Sequence, residues 1–451
     1  MKDHPARTDL AALAEALLDA ARQAGASAAD ALVVQGDSLS VDVRDGVLER
    51  AERAEGLDLG LRVLIGGRQA CVASSDDKPE TLAEMARRAV AMASEAPEDP
   101  YAGLADPADL AAARDASGLE LDDPAAAPDP EALRAAALEA EAAALGVAGI
   151  SRSDGAAAGW GRREIFLAAT NGFAGGYARS SHSVHCTAIT GEGTGMERDW
   201  AHEARCHLSD MPDAAGIGRL AGERTAARAG ARKPPGGAFP VLYDERVAGG
   251  LIGHLISAIN GAAIARGSSW ARELMGEAVL PAGLSLTEDP HRPRIFGSRP
   301  FDAEGLATTR RAWVENGVLT GWVLDLASAR QLGLTSTANA SRGTTAPPRP
   351  GTGNLALTQG TASRDDLIRD MGTGLLVTSM LGATINPNTG DYSRGASGFW
   401  VENGQIAYPV NECTIAGNLR DMLLALTPAN DARPFAGMQV PSLLVQGLTI
   451  A

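Results

Sequence analysis

Asp391, Tyr392, Ser393 and Arg394 stand among the glycines of TGDYSRGASG (389–398). A carboxylate, a phenol, a hydroxyl and a guanidinium in a row are too polar for a core. They could meet a ligand or another chain, with Tyr392 as a stacking ring and Arg394 as a fork of donors. Glycine allows the backbone to come close. The stretch from Asp391 to Gly398 is therefore expected to be a loop that closely approaches a ligand or another chain. The alternative is that Asp391 and Arg394 pair and only brace it. A second group is His182, His185, Cys186, His202, Cys206 and His207. Residues 202–207 spell His-Glu-x-x-x-His, the residue types of a zinc centre in which two imidazoles hold the ion and the Glu deprotonates its water. The spacing does not converge. On a strand, His202 and Cys206 fall on one face and Glu203 and His207 on the other. On a helix, five residues turn ~500° and leave the histidines ~140° apart. A polar sheet face is expected at 182–207, with His185 roughly opposite His202; a metal bound there is the alternative. Cys413 has Glu412 beside it and no histidine close in sequence, so it reads as a small buried residue rather than a nucleophile. No catalytic residue is assigned on these grounds. Gly191-Glu-Gly-Thr-Gly195 joins two strands and is a turn, not a phosphate loop.

The elements that must hold these residues can be read from periodicity. Thr8 is placed to open a helix with Leu10, Leu13, Leu17, Leu18 and Ala21 at helical spacing, and Gly25 ends it. Short strands are expected at 30–34, 38–43, 57–65 and 70–73, and a helix at 78–93. Residues 96–129 are rich in Asp, Pro and Ala, the composition of a linker. A helix at 131–145, strands from 150 to about 208 and a helix at 214–229 make a middle unit. Its strands 179–189 and 196–208 form a hairpin. Lys233-Pro-Pro-Gly-Gly237 marks the last boundary. A strand at 239–243 and a helix from Arg246 then open a β-rich unit. Glu-Asn-Gly occurs twice in it, at 315–317 and 402–404, each a type I′ hairpin signal because both central residues need φ > 0. The expected fold class is α+β: an N-terminal α/β domain (1–95), a linker (96–129), a middle strand-and-helix domain (130–232) and a C-terminal β-rich domain (238–451).

The chain has 451 residues, 40 Lys and Arg against 56 Asp and Glu, and a formal net charge of −16. Such a surface does not bind nucleic acid by broad phosphate neutralisation. Four widely spaced cysteines suit free thiols in a reducing compartment. MKDHPARTDL has no apolar signal core, and no apolar run reaches membrane-spanning length, so a cytoplasmic protein away from membranes is expected.

Longer strings carry a resemblance. The TGDYSRGASGFWVENG stretch, RRAWVENGVLTG (310–321), SARQLG (328–333), MGTG (371–374) and TIAGNL (414–419) resemble the PmbA/TldD family, the so-called modulators of DNA gyrase, and its PmbA (TldE) branch in particular. Their order and spacing match over about the last 210 residues. In the TldD branch, the helix opening the third domain carries His-Glu-x-x-x-His, and a cysteine near the C-terminus is a further ligand. The equivalent helix here is 250–261, and the motif falls on Gly253, His254, Leu255, Ile256, Ser257 and Ala258. Both histidine positions are lost, and the region 434–440 has no cysteine. His254 reads as a helix histidine that packs locally. The resemblance implies a chain with no metal ligands and no cofactor of its own, paired with a zinc-bearing TldD-type homologue. Together they would form a metallopeptidase that takes unfolded or extended peptides or modified-peptide precursors, with Asp391 to Arg394 at the substrate or subunit interface. Two rivals stand beside it: a self-sufficient metallohydrolase using the 182–207 cluster, and a homo-oligomeric peptide-binding protein without protease activity.

Overall fold

The computed structural model describes residues 9–451, with Ala383 described by its backbone alone. Thr8, the expected helix opener, lies outside the described residues. Asp9 caps α1 (Leu10–Ala24) by accepting from the Ala12 N–H, and Gly25, at φ 99°, ends it. Then come β1 (Ala28–Arg44), β2 (Val47–Ile65), β3 (Arg68–Ser74), α2 (Pro79–Glu95), α3 (Pro130–Leu145), β4 (Ile150–Ala169), β5 (Ala174–Thr190), β6 (Glu197–Arg205) and α4 (Ala214–Ala226). The strands form one antiparallel sheet in the order β3-β2-β1-β4-β5-β6. The N-terminal and middle units thus share a sheet, joined where β1 pairs with β4. The two short strands expected at 30–34 and 38–43 are one strand. Gly36 weakens the local signal, but it is paired on both sides, to Gly56 and to Arg163, and the ladder carries the strand through.

The long strands hold two helix pairs on one face. Ala29, Ala31 and Val33 of β1 pack under α1 and α2, while Val41 and Val43 pack with Ala137, Ala140, Ile217 and Ala221 of α3 and α4. All five β1 residues share one parity and so one face. On the opposite parity, Leu32 and Val34 pack with Ala111, Phe173 and Phe301. Residues 96–129, linker-like in composition, are irregular but tied down. Asp99 N donates to Gly67 O at 2.7 Å, Ala111 N to Gly305 O at 2.9 Å, and Ser180 N to Leu121 O at 3.0 Å.

The last third opens with β7 (Gly237–Tyr243), α5 (Glu245–Ala258) and α6 (Gly261–Ala265). Short pieces follow: β8 (Leu286–Glu288), β9 (Arg311–Glu315), β10 (Val318–Leu319), α7 (Leu326–Leu332), β11 (Ala340–Ser341), β12 (Arg349–Pro350) and β13 (Leu355–Leu357). The chain ends with α8 (Arg364–Met371), β14 (Gly374–Ile385), β15 (Asp391–Glu402), β16 (Gln405–Asn418), α9 (Leu419–Leu424), β17 (Thr427–Pro428), β18 (Met438–Gln439) and β19 (Leu443–Ile450). The main sheet runs β16-β15-β14-β7-β19-β17, and Ile415 of β16 pairs with Ile450 of β19, closing it. α5 packs against this sheet through Leu251, Ile252 and Leu255, which share a core with Tyr243, Tyr392 and Trp400. Both Glu-Asn-Gly turns have the expected backbone: φ is 48° and 85° at Asn316 and Gly317, and 53° and 73° at Asn403 and Gly404. The architecture is α+β. Among the described residues no helix is long and apolar enough to cross a membrane.

Candidate functional site

The stretch from Asp391 to Gly398, expected as a loop, is the first two thirds of strand β15, hydrogen-bonded between β14 and β16. Gly398 serves packing in this ladder. A Cβ at Gly398 would stand 1.9 Å from the Leu376 carbonyl oxygen. Pairing of Asp391 with Arg394 does not occur either; strand alternation sends them to opposite faces. Asp391 is exposed, accepts from Thr389 Oγ1 at 2.6 Å and Asn418 Nδ2 at 3.1 Å, and these two bonds hold its carboxyl below the usual range. Ser393 is half-buried in the ladder opposite Ala416. Tyr392 is 3% exposed and its hydroxyl lies 3.5 Å from the Met380 sulfur. Arg394 Nε donates to Gly382 O at 2.6 Å.

Tyr392 and Arg394 share the face that meets α5. Gly250 and Ser257 of α5 are exposed, Gly253 and His254 between them are half-buried, and Ala258 is buried in the core. The imidazole of His254 packs edge-on against Tyr392, and its Nε2 is buried with no hydrogen-bond partner. Burial, and then the positive charge of Arg394, lower the His254 pKa, so the ring is neutral at pH 7. The Tyr243 hydroxyl, close to Tyr392, is buried without a well-formed hydrogen bond, and burial raises its pKa. Tyr243 carried no signal in the sequence beyond ending a strand.

Zinc does not fit this surface. A Cβ at Gly253 would meet nothing within 4 Å, Ala258 has no donor, and a guanidinium stands beside the one imidazole. A cation has one nitrogen to bind and a fixed positive charge to oppose it. Among the described residues, no three His, Cys, Asp or Glu side chains come together in a set that could hold a metal.

The 182–207 cluster divides into two pairs on opposite faces. His185 and His202 are direct cross-strand neighbours, as expected, with rings 6.2 Å apart on the outer face. His182 and His207 point inward to Asp123, at 3.1 Å and 3.9 Å, and His207 Nε2 also lies 2.9 Å from Glu120 O. Burial, partly opposed by Asp123, lowers the His182 pKa. Asp123, from the Asp/Pro-rich strap, is thus the hub that fastens the strap to the hairpin; only its contacts identify it. Burial pushes the thiols of Cys186 to about 12 and of Cys206 and Cys413 to about 11, far from a reactive thiolate.

A cleft of about 820 Å³ lies between the two sheets, where Gly395 to Ser397 of β15 face Trp200 and Glu197 of β6. Arg228 crosses it, bonded to Ser397 Oγ at 3.0 Å and Glu197 Oε2 at 3.2 Å. The second half of the Gly-rich stretch therefore lines a groove, with exposed Trp200 and Leu381 on its walls. The lining is mixed, with Ile189, Met196, Trp200 and Leu381 set among the charged Arg152, Asp154, Arg198 and Glu412.

Comparison with known proteins fits this architecture. Residues 29–93 match the family model described as PmbA/TldA metallopeptidase domain 1, residues 123–229 the central domain, and residues 236–451 the C-terminal domain. The chain is 36% identical over 424 residues to the protein named Metalloprotease PmbA of Escherichia coli O157:H7, covering 94% of this chain and 92% of that one. A Bacteroides thetaiotaomicron protein described as a modulator of DNA gyrase superposes with a TM-score of 0.90 at 28% identity, covering 98% of each chain. TldE from Thermococcus kodakarensis has the same fold, with a TM-score of 0.84 at 20% identity over 97% of this chain and 99% of that one.

Proposed function

The chain belongs to the PmbA/TldD metallopeptidase family, and on that premise we propose that it is the PmbA/TldE-type, non-metal-binding subunit of a two-chain zinc peptidase. One observation carries the reading. The helix on which the zinc motif aligns carries Gly253, His254 and a buried Ala258 at the motif positions, with Arg394 close to His254. This chain's residues then do not hold or activate a metal-bound water. The zinc belongs to a TldD-type homologue. Here the intact strands β14, β15 and β16 supply the wall of a shared chamber. The groove between β6 and β15 holds an extended peptide, and Tyr392 and Arg394 brace the strand that lines it. Recognition through backbone hydrogen bonds would tolerate many sequences.

The test is reconstitution with a zinc-bearing homologue from the same organism. Each chain alone should leave an unfolded peptide intact, and the mixture should cleave it, with zinc bound in proportion to the homologue. Full activity of the homologue alone, or no association at micromolar concentration, would overturn the subunit reading. It would leave a peptide-binding protein without a protease partner. One tightly held zinc in the isolated chain, lost on His202→Ala or His207→Ala, would instead favour a self-sufficient hydrolase.

A further inference from the structure

Strand β2 is bonded to β1 along its whole length, but β3 joins its other side only from Leu59 onward, where Leu59 pairs with Ser74. From Val47 to Asp58 that outer edge has no strand beside it among the described residues. Residues 47–56 are exposed on both faces without a break. A bare edge of this length is a template for another strand, and proteins usually blunt it with charged side chains, a proline, a bulge or a covering loop. Here the stretch from Arg50 to Asp58 has no proline, and its charges are of both signs, so they repel a second strand only in some registers. The edge reads Arg50-Ala-Glu-Arg-Ala-Glu-Gly-Leu-Asp58, with both signs alternating.

The pattern is complementary to itself in one register. The register shift opposite Asp42 and Val43 ends the regular stretch at Arg50, and β3 ends it at Asp58. Ala54 is the middle residue. An antiparallel pair related by a two-fold axis perpendicular to the sheet must place a residue opposite its own copy, because facing side chains share a face. With Ala54 opposite the partner's Ala54, Arg53 faces the partner's Glu55 and Arg50 faces the partner's Asp58. Ala51 then meets the partner's Leu57. Each contact occurs twice. Sliding by one step either way brings Arg53 against the partner's Arg53, or Glu55 against the partner's Glu55, and like charges directly opposite are destabilising. At present Arg50 reaches Glu52 and Arg53 reaches Glu55 along the same strand, but all four side chains are exposed and free to turn.

We propose that the Arg50–Asp58 edge of β2 pairs with the same edge of a second copy of this chain, so that two six-stranded sheets continue as one. The inference stands on the N-terminal sheet and does not rest on the proposed peptidase partnership.

Sedimentation across a wide micromolar range should show the 46.3 kDa chain moving toward twice that mass. Arg53→Glu and Glu55→Arg should each weaken the dimer by about tenfold or more, since each puts two like-charge pairs at the seam. The double variant Arg53→Glu with Glu55→Arg should restore it. Melting temperatures should stay level, as both side chains are exposed. Ala54→Cys should give a disulfide-linked dimer on mild oxidation, because facing Cα atoms in such a pair lie ~4.5–5.5 Å apart. Glu52→Cys, like the unmodified chain, should not. A chain that stays monomeric throughout, a dimer indifferent to both single swaps, or Ala54→Cys linking to a zinc-bearing homologue in preference to itself would each overturn the proposal.

Discussion

The ring of Tyr392 meets the imidazole of His254 edge to face, with centroids 5.9 Å apart and planes at 76°. This contact, with Arg394 beside it, couples strand β15 to the helix on which the family's zinc motif aligns. Arg394→Ala removes a bond to the Gly382 carbonyl and a cation next to His254. Arg394 is half-buried, so the stability cost should stay near ~1 kcal/mol. Peptide cleavage by the reconstituted complex should fall further, by about tenfold. Equal loss of folding and activity would reduce Arg394 to a brace. The same variant should raise the His254 pKa toward that of a free histidine in an NMR titration. The stability consequence has a definite sign. The folded-state pKa is depressed below 6.5, so the contribution is intact above that pH and is lost as pH falls toward the folded value. Arg394→Ala should narrow this acid-side loss.

Asp30 bridges two arginines from distant parts of the chain. Arg62 Nε donates to its Oδ2 at 2.7 Å, and Arg342 contacts its Oδ1. All three side chains are almost wholly buried. Burial alone would raise the Asp30 carboxyl, but Arg342 and Arg62 outweigh it and hold it low. Asp30→Ala would leave two buried guanidinium groups facing each other. The expected cost is ~3–5 kcal/mol, read from chemical denaturation. The residue 342 loop should also become more open to protease, because Arg342 is its tie to the first sheet. Arg62→Ala alone should cost less, since one ion pair survives.

How much of this was legible in the sequence depends on the range of the forces involved. The two Asn-Gly turns and the facing of His185 and His202 follow from local rules, φ > 0 at a type I′ turn and period-two alternation, and both are present. The continuity of β1 through Gly36 and Asp37 was not legible, because it depends on β2 and β4 on either side. The strap at 96–129 looks like a linker since its bonds go to residues far along the chain: Arg330 donates to Tyr101 O at 3.1 Å and Leu104 O at 2.7 Å. The polar run from Asp391 to Arg394 looked like a loop for a related reason. Its glycines suggested close approach to a ligand or another chain, whereas Gly398 relieves crowding against Leu376 in a paired strand.

Gly398 puts that last point to a direct test. A Cβ there would lie 1.9 Å from Leu376 O and 3.0 Å from Thr378 N, both backbone atoms that cannot swing away. Gly398→Ala should therefore destabilise the C-terminal domain by roughly 2–4 kcal/mol. Gly253→Ala, on the open face of α5, should be harmless or stabilising by about 0.5–1 kcal/mol through helix propensity. Thermal melts of the two variants should differ in sign or by several degrees. A mild effect at Gly398 would mean that β14 and β15 can separate more easily than their ladder suggests.

Glu304 is a buried acid whose ionisation the fold opposes. It lines a cleft of about 500 Å³ with Arg62 and Asp325, and accepts from the Leu326 N–H at 2.9 Å. Burial, and then the neighbouring Asp302, push its carboxyl up to about 8, so it is protonated at neutral pH. The unfolded chain releases that proton near 4.5. Between those two values the folded state binds the extra proton. Its contribution is therefore full below about 4.5 and declines as pH rises, until it is lost above about 8. Glu304→Gln keeps the acceptor for Leu326 and cannot ionise. The variant should match the parent in acid and exceed it in mild alkali, by on the order of a few kcal/mol. Melting temperatures at about pH 4.5 and just above pH 8, the two ends of the window, measure the difference directly. A parent protein whose stability rises through this window as much as the variant's would mean that Glu304 is ionised in the folded state, with Arg62 carrying its charge.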